Sequence, residues 1–130
     1  MGWEVDGTFN PAAVAAGQSI HLLYRAVDAN RVSRLGYAQS LNGTDISFRS
    51  SEPVLEVSEE WEEFGCEDPR LTPFDGTYYV TYTAFSRRGP RIAMASTNDF
   101  KHFEKLGLVG PDIDDKDFVL FPERVILNFQ

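Results

Sequence analysis

The sequence has few of the residues that form cross-links and metal sites. Among its 130 residues there are one cysteine, Cys66, and two histidines. A single cysteine excludes a disulfide within the chain. His21 and His102 lie in different halves of the sequence, which is poor spacing for metal ligands, so we predict no metal site and no resident cofactor. No histidine neighbours Cys66 in sequence, and we interpret its side chain as a packed thiol rather than a nucleophile.

Long apolar runs and an excess of positive charge are also missing. No stretch has the length that a signal peptide or a membrane helix requires, so we expect a cytoplasmic protein with no membrane partner. The chain has 12 lysines and arginines against 20 aspartates and glutamates, a formal net charge of -8. This balance disfavours binding to nucleic acid and to anionic membranes, because both need clustered positive charge.

The sequence does contain the pattern of a β protein. Hydrophobic residues make up 42% of the chain and aromatic residues 13%, which is enough for the core of one domain. No segment shows convincing helical periodicity. Short runs alternate apolar and polar residues or are rich in β-branched and aromatic residues, which predicts strands over residues 19–26, 34–40, 77–84 and 91–97. The dipeptides Asn42-Gly43 and Asp75-Gly76 are turn signals.

The two halves of the chain repeat each other. Pro11 and Pro69 are 58 residues apart, and so are Tyr24 and Tyr82. A third start comes at Phe121-Pro122-Glu123, whose proline follows Pro69 by 53 residues. A repeat of four short antiparallel strands is typical of a β-propeller blade.

We therefore predict an all-β fold in which a single domain, residues 1–130, is a partial β-propeller. The blades cover about residues 9–57 and 67–109, and a third begins near residue 118. Two blades cannot close a ring, since propellers typically have about four to eight. The chain is then a piece of a larger propeller, or several copies assemble. A two-sheet sandwich is the alternative, which the repeat argues against without excluding.

One stretch stands out chemically: residues 65–70, with the sequence Gly-Cys-Glu-Asp-Pro-Arg. A proline biases the residue before it toward extended or turn backbone, so we expect Asp68 in a narrow conformational range. Side chains alternate along an extended chain, which predicts that Asp68 and Arg70 share a face and that Glu67 points away. Taken alone, this is also the pattern of a surface turn with a salt bridge. The residues that start equivalent repeats are expected to converge at one mouth of the propeller axis, where ligand sites collect: Asn10, Asp68 and Glu123.

The same stretch resembles the hallmark motif of glycoside hydrolase family 130, the β-mannoside phosphorylases and related mannosidases. Further segments resemble the family in order and spacing: Phe9-Asn10-Pro11-Ala12, Tyr24-Arg25-Ala26, Tyr82-Thr83-Ala84-Phe85, Ala95-Ser96-Thr97-Asn98-Asp99-Phe100, Asp115-Lys116-Asp117 and Leu120-Phe121-Pro122-Glu123. The resemblance runs from residue 3 to about residue 125. It implies a five-bladed β-propeller, of which this chain would supply two blades and the start of a third.

The resemblance also implies cleavage of β-linked mannosides with inversion, by phosphate in the phosphorylases and by water in the hydrolase branch. Asp68 matches the general acid of the family, whose proton is thought to pass through a sugar hydroxyl. An acid that donates a proton to a leaving oxygen must be neutral when it acts. Arg70 on the same face would oppose this, unless it points to a structural partner or the acid is recruited only with substrate bound. Four further residues match positions that line the sugar or anion pocket: Asn10, Arg25, Glu67 and Lys116.

The expected partners are a β-mannoside or manno-oligosaccharide and, for a phosphorylase, inorganic phosphate as co-substrate. Phosphate favours paired cations, and arginine binds it in a bidentate fork. Lys116 is a candidate because it lies within a family motif. The other basic candidates are Arg87, Arg88, Arg91 and Arg124.

Three functions stay open on the sequence: phosphorolysis of β-mannosides to mannose 1-phosphate, hydrolysis of β-mannosides, and non-catalytic carbohydrate binding or assembly. Another five-bladed glycosidase family is supported by architecture alone. We interpret the acidic run at residues 59–63 as a solvated loop rim, where Trp61 or Phe64 would stack on a sugar ring. The open edges of an incomplete propeller are pairing surfaces, so we expect a homo-oligomer.

Overall fold

The computed structural model describes residues 2–126, and its regular structure is dominated by strands. The first four are β1 (Gly7–Ala16), β2 (Ser19–Val27), β3 (Ser33–Ser40) and β4 (Ile46–Arg49). The second four are β5 (Gly65–Phe74), β6 (Thr77–Ser86), β7 (Gly89–Thr97) and β8 (Glu104–Leu108). Two short 3₁₀ helices, Gly2–Glu4 and Glu60–Glu62, are the helices of the described part, and neither is long and apolar enough to cross a membrane. The predicted all-β class is confirmed.

Each group of four strands forms an antiparallel meander in chain order, which is the arrangement of a propeller blade. One parallel pair, Ser33 with Gly65, joins the two blades. The backbones come so close there that a Cβ on Gly65 would lie 2.8 Å from the backbone nitrogen of Ser33. The junction therefore fixes the start of β5 against the first blade.

The strands of the two blades span residues 7–49 and 65–108. No strand is assigned between residues 109 and 126, and the start of a third blade near residue 118 stays a prediction. This segment lies along the second blade, where Thr72 Oγ1 donates to the carbonyl of Leu120 at 2.8 Å and Thr81 Oγ1 to that of Phe118 at 2.7 Å. The predicted domain also includes residues 1 and 127–130, which lie outside the described residues.

The main hydrophobic core lies between the two blades. Leu23 and Leu35 of the first blade belong to one buried cluster with Val80, Tyr82 and Ala93 of the second. Alternation along the strands supplies this cluster, because every second side chain of a strand faces the same side. Burial of a large apolar side chain is worth about 1.5–3 kcal/mol, so the shared core holds the blades in one relative position. The geometry of any site between β1 and β5 depends on that position.

A set of aromatic rings ties the blades together at the start of β2. His21 stacks on Phe100 of the second blade, with ring centroids 4.3 Å apart. Its Nδ1 lies 2.8 Å from the hydroxyl of Tyr37. His21 is partly buried and has a polar partner, which makes it a packing residue of the blade interface.

The acidic linker before β5 differs from the solvated rim that its charge indicates. Glu62 is fully buried, and its carboxylate accepts hydrogen bonds from Tyr82 Oη at 2.6 Å and from Lys105 Nζ. Two backbone N–H groups of the linker also donate to it. Trp61 packs against the core, while Phe64 remains exposed. The interpretation as a solvated rim is wrong for Glu62, because these donors and the lysine charge replace the water that the carboxylate loses.

Candidate active site

The innermost strands of the two blades, β1 and β5, are interrupted at the same place. Strand pairing shifts register across Asn10 in β1 and across Asp68 in β5. Both residues have left-handed backbone, with φ of 50° at Asn10 and 49° at Asp68. Asparagine and aspartate enter this region more readily than other residues with a side chain. The extended or turn backbone expected before proline is overridden here, because each residue is the extra one of a β-bulge.

The second bulge turns Glu67 and Asp68 toward one guanidinium. Arg25 of β2 donates from Nη2 to Glu67 Oε1 at 2.9 Å and from Nη1 to Asp68 Oδ1 at 3.3 Å. The prediction that Glu67 points away from Asp68 is wrong, because the bulge breaks the alternation of side chains. Arg70 donates to a backbone carbonyl, and its Nη2 lies 3.6 Å from Asp117. Of the two interpretations of Arg70, the structure supports the one in which it points to a separate partner.

Asn10 and Asp68 meet between the blades. The Nδ2 of Asn10 donates to Oδ1 of Asp68 at 2.7 Å. Within residues 2–126 both hydrogen bonds to the Asp68 carboxylate end on Oδ1, so Oδ2 is available to a ligand. Two of the three predicted repeat starts therefore converge. Glu123 is exposed, and no hydrogen bond of the described residues joins it to them.

Arg25 is held at two further points. Its Nε donates to Ser33 Oγ at 2.9 Å, and its Cζ lies 4.9 Å from the centroid of the Phe9 ring. Sequence reasoning selected Arg25 and missed both supports. Phe9 had a signal, since it lies in a family motif beside Asn10. Ser33 had none, because its approach to Arg25 depends on the pairing of β2 with β3.

The charge balance of the site centres on Glu67. Burial raises the pKa of Glu67 above its ordinary value, the Arg25 guanidinium opposes this rise, and the adjacent Asp68 carboxylate adds to it. Lys116 is close enough to Glu67 for its charge to lower the pKa as well. Two neighbouring carboxyls in a partly buried place favour a neutral, proton-donating form of one of them. Such a pair suits acid catalysis on an oxygen.

The other predicted cations lie in separate ion pairs or in solvent. Arg124 is exposed. The remaining arginines pair with carboxylates of nearby loops: Arg87 with Glu63, Arg88 with Asp112 at 3.1 Å, and Arg91 with Asp112 at 2.8 Å and Asp114 at 2.6 Å. Lys116 is thus the predicted phosphate-binding cation whose charge reaches the carboxylate pair.

Cys66 and the histidines take no part in this cluster. Cys66 is fully buried, and burial raises the pKa of its thiol well above the ordinary value, which suppresses the nucleophilic thiolate. His102 is exposed and pairs with Asp99 at 2.7 Å. Across the described residues no group of three histidine, cysteine, aspartate or glutamate side chains is placed to hold a metal ion.

Two meander blades, with a carboxylate pair, an arginine and an amide brought together where they meet, define a partial β-propeller with a candidate site between its blades. Comparison with known proteins specifies this class. The glycoside hydrolase family 130 model, described as beta-1,4-mannooligosaccharide phosphorylase, matches residues 3–127. The chain belongs to this family, as its motifs indicate. Solved members are five-bladed β-propellers, which confirms the predicted partial propeller.

Individual proteins of the family are similar to this chain in sequence and in fold. A 1,2-beta-oligomannan phosphorylase from Thermoanaerobacter sp. (strain X514) is 38% identical over 95% of this chain and 44% of its own length. A solved structure from the GH130 family of mannoside phosphorylases, a family that contains glycoside hydrolases targeting beta-1,2 mannosidic linkages in Candida mannan, is 39% identical. Its TM-score is 0.77 over 82% of this chain and 33% of that one.

A solved structure with lower sequence identity shares the fold. The beta-1,2-mannobiose phosphorylase from Listeria innocua has a TM-score of 0.80 at 22% identity, over 91% of this chain and 48% of that chain. The chain thus spans less than half the length of the relatives that it matches.

Proposed function

We propose that this chain carries the acid-bearing part of the active site of an inverting β-mannoside phosphorylase. The observation that supports this most directly is the bulge at Asp68, which brings its carboxylate to Arg25 and Asn10 and leaves Oδ2 available. The resemblance of the surrounding motif to the family assigns the general acid to the same residue. The phosphorylase relative at 38% identity supports the reaction type.

The proposed reaction exchanges one bond at the anomeric carbon for another. An oxygen of inorganic phosphate bonds to that carbon while the bond to the glycosidic oxygen breaks. The electron pair of the broken bond goes to the glycosidic oxygen, which takes the proton of the Asp68 carboxyl, directly or through a sugar hydroxyl. The products are mannose 1-phosphate and a sugar shortened by one mannose, and Asp68 regains a proton from water.

The neighbouring residues would bind the sugar and the anion. Asn10 orients the Asp68 carboxyl through its amide, and Glu67 accepts hydrogen bonds from sugar hydroxyl groups beside it. Arg25 offsets the charge of both carboxylates, which otherwise repel each other at close range. Lys116 is the proposed phosphate contact, since an ammonium binds phosphate as a point charge. Arg88 and Arg124 would join it only if the loops that hold them rearrange.

The test is formation of mannose 1-phosphate, followed by ³¹P NMR. The chain is incubated with β-1,2- or β-1,4-mannobiose, with and without inorganic phosphate. Mannose 1-phosphate that forms only with phosphate, and not in Asp68→Asn, is the expected result. Release of free mannose at a rate that phosphate does not change would instead identify a hydrolase.

Hydrolysis is the second candidate because one observation favours it: the family also contains glycoside hydrolases, and the solved structure described with them is 39% identical to this chain, as similar as the phosphorylase relative. Water would then replace phosphate, and a carboxylate would act as general base. Non-catalytic carbohydrate binding or assembly is the third, because the chain spans only 44% of the phosphorylase that it matches. Mannoside binding without turnover, unaffected by Asp68→Asn, would favour that alternative.

The same proposal includes a homo-oligomer in the cytoplasm. Strand β8 is the outer edge of the second blade, and its Leu106 and Leu108 side chains are exposed. Open edges of this kind pair readily with other strands. Light scattering at several protein concentrations should give a discrete multiple of the chain mass, whereas a monomer at all concentrations would contradict the assembly.

A further inference from the structure

The two carboxylates of the site share one cation, and that cation has its own supports. We propose that Ser33 and Phe9 are positioning residues that hold the Arg25 guanidinium in the orientation in which it meets Glu67 and Asp68. The contacts are independent of any activity, but their catalytic meaning rests on the proposed function. Neither residue needs to touch the substrate for this role.

Ser33 controls the inner end of the guanidinium. Its side chain is fully buried, and its Oγ accepts the Nε–H of Arg25 at 2.9 Å. An arginine presents its donors in a rigid planar fork, so fixing Nε also sets the directions of Nη1 and Nη2. Those two nitrogens are the ones that reach Asp68 and Glu67.

The place of Ser33 in the fold makes it a rigid support. Its backbone pairs with Gly65 at the parallel junction of the blades, two residues before Glu67. A side chain on Gly65 would collide with Ser33, so the two backbones are closely packed at this junction. Ser33 therefore relates the cation on the first blade to the carboxylates on the second.

Phe9 controls the plane of the guanidinium. It is directly opposite Arg25 in the pairing of β1 with β2, and its ring centroid is 4.9 Å from Cζ. A cation over an aromatic face is attracted by the negative face of the ring. The next residue, Asn10, donates to Asp68, so the bulge of β1 supports both the cation and the acid.

Loss of the Ser33 or Phe9 contact to Arg25 should change the titration of Glu67. A guanidinium that is free to rotate gives up part of its contact with Glu67 and Asp68, and the repulsion between the carboxylates is then less well balanced. Burial already raises the pKa of Glu67 and Arg25 opposes the rise, so a displaced Arg25 moves the titration of Glu67 to higher pH.

The experiment is NMR on the full chain, comparing Ser33→Ala with Ser40→Ala. Ser40 is also a buried serine of β3, but its hydroxyl contacts the turn at Asn42 and Gly43. The measured quantities are the hydrogen exchange of the Arg25 Nε–H and the titration midpoint of the Glu67 carboxyl by ¹³C NMR. Ser33→Ala should speed the exchange roughly tenfold or more, as expected for a lost hydrogen bond to a charged group, and raise the midpoint. Ser40→Ala should change neither.

Phe9→Leu keeps an apolar side chain and removes the ring, and it should move the Glu67 midpoint in the same direction. Folded Ser33→Ala and Phe9→Leu chains with unchanged exchange and midpoint would overturn the proposal.

If Ser33→Ala does not fold, hydrogen exchange in the unsubstituted chain is the test. The Arg25 Nε–H should exchange far more slowly than that of Arg31, whose side chain is 82% exposed. Equal rates would overturn the proposal too. A chain that shows both NMR effects and turns over no mannoside would contradict the proposed function alone.

Discussion

Asn10 and Asp68 are 58 residues apart in sequence, and Asn10 Nδ2 lies 2.7 Å from Asp68 Oδ1. Each precedes a proline, and each has left-handed backbone in a bulge of the innermost strand of its blade. The repeat thus brings a neutral amide from one blade against a carboxylate from the next. The amide orients the carboxylate through Oδ1, the oxygen that Arg25 also contacts, so that Oδ2 remains for a ligand.

Asp68→Asn should remove turnover and leave the fold intact, because asparagine also tolerates left-handed backbone and carries no acidic proton. The expected loss is about 10²–10⁴-fold, the usual contribution of a general acid. Asp68→Ala should also lower the free energy of unfolding, by about 1–2 kcal/mol, because alanine is strained in that conformation.

The measurements for these variants are mannoside turnover and urea unfolding. Asp75→Asn is the matched control, since Asp75 also has a φ of 50° but lies exposed in the β5–β6 turn. It should retain full turnover. Full turnover in Asp68→Asn would exclude Asp68 as the proton donor.

Glu62→Ala should destabilise the chain strongly. The substitution leaves the Lys105 ammonium in a partly buried place without its carboxylate and removes the acceptor of Tyr82. Breaking a buried ion pair from one side costs about 3–5 kcal/mol. Chemical unfolding measures this, and Glu60→Ala, at an exposed position of the same helix, is the control with an expected change near zero. Equal effects of the two substitutions would show that the buried pair adds no stability.

Glu62 should also contribute to acid sensitivity. Burial alone raises the pKa of Glu62, but the hydrogen bonds from Lys105 and Tyr82 outweigh it and hold the pKa below its ordinary value. A carboxyl with a lowered folded-state pKa stabilises the fold above its unfolded-state pKa, and this stabilisation is lost as the pH falls through the folded-state value. The contribution of Glu62 should therefore disappear at acidic pH below the ordinary range of glutamate.

His21 should make stability depend on pH in a higher window. Burial lowers the pKa of His21, so the unfolded chain binds a proton more readily than the folded chain. Stability from neutral His21 is then complete above about pH 6.5 and decreases as the pH falls toward the folded-state pKa. His21→Phe keeps the stacking on Phe100 and should flatten the stability curve between pH 7 and pH 5, measured by thermal unfolding. An unchanged slope in His21→Phe would contradict the assignment.

Gly36→Ala should destabilise the first blade, because an added Cβ would lie 2.3 Å from Cζ of the Tyr24 ring. Overpacking of this kind costs about 1–3 kcal/mol. Gly2→Ala is the control, since nothing lies within 4 Å of its added Cβ. Thermal unfolding of both variants is the measurement. Equal melting temperatures would show that Tyr24 can move aside.

Much of the fold was predictable from the sequence because its signals are local or periodic. Alternation along residues 19–26, and the aromatic and β-branched residues at 77–84, indicated strands that the structure contains as parts of β2 and β6. The 58-residue offset predicted that Asn10 and Asp68 occupy equivalent places, and their matching bulges agree with this. The family motif selected Arg25 and Glu67, which the structure brings together with Asp68.

The strands, the repeat, the family and the identity of the acidic candidate thus follow from residue order alone. Which cation meets that acid depends on the packing of the blades: it is Arg25 across the blade junction, rather than Arg70 two residues away. The burial of Glu62 and the support of Arg25 by Ser33 likewise depend on the tertiary structure. These contacts arise from strand pairing and blade packing, which bring together residues whose spacing in the chain carries no signal of the contact.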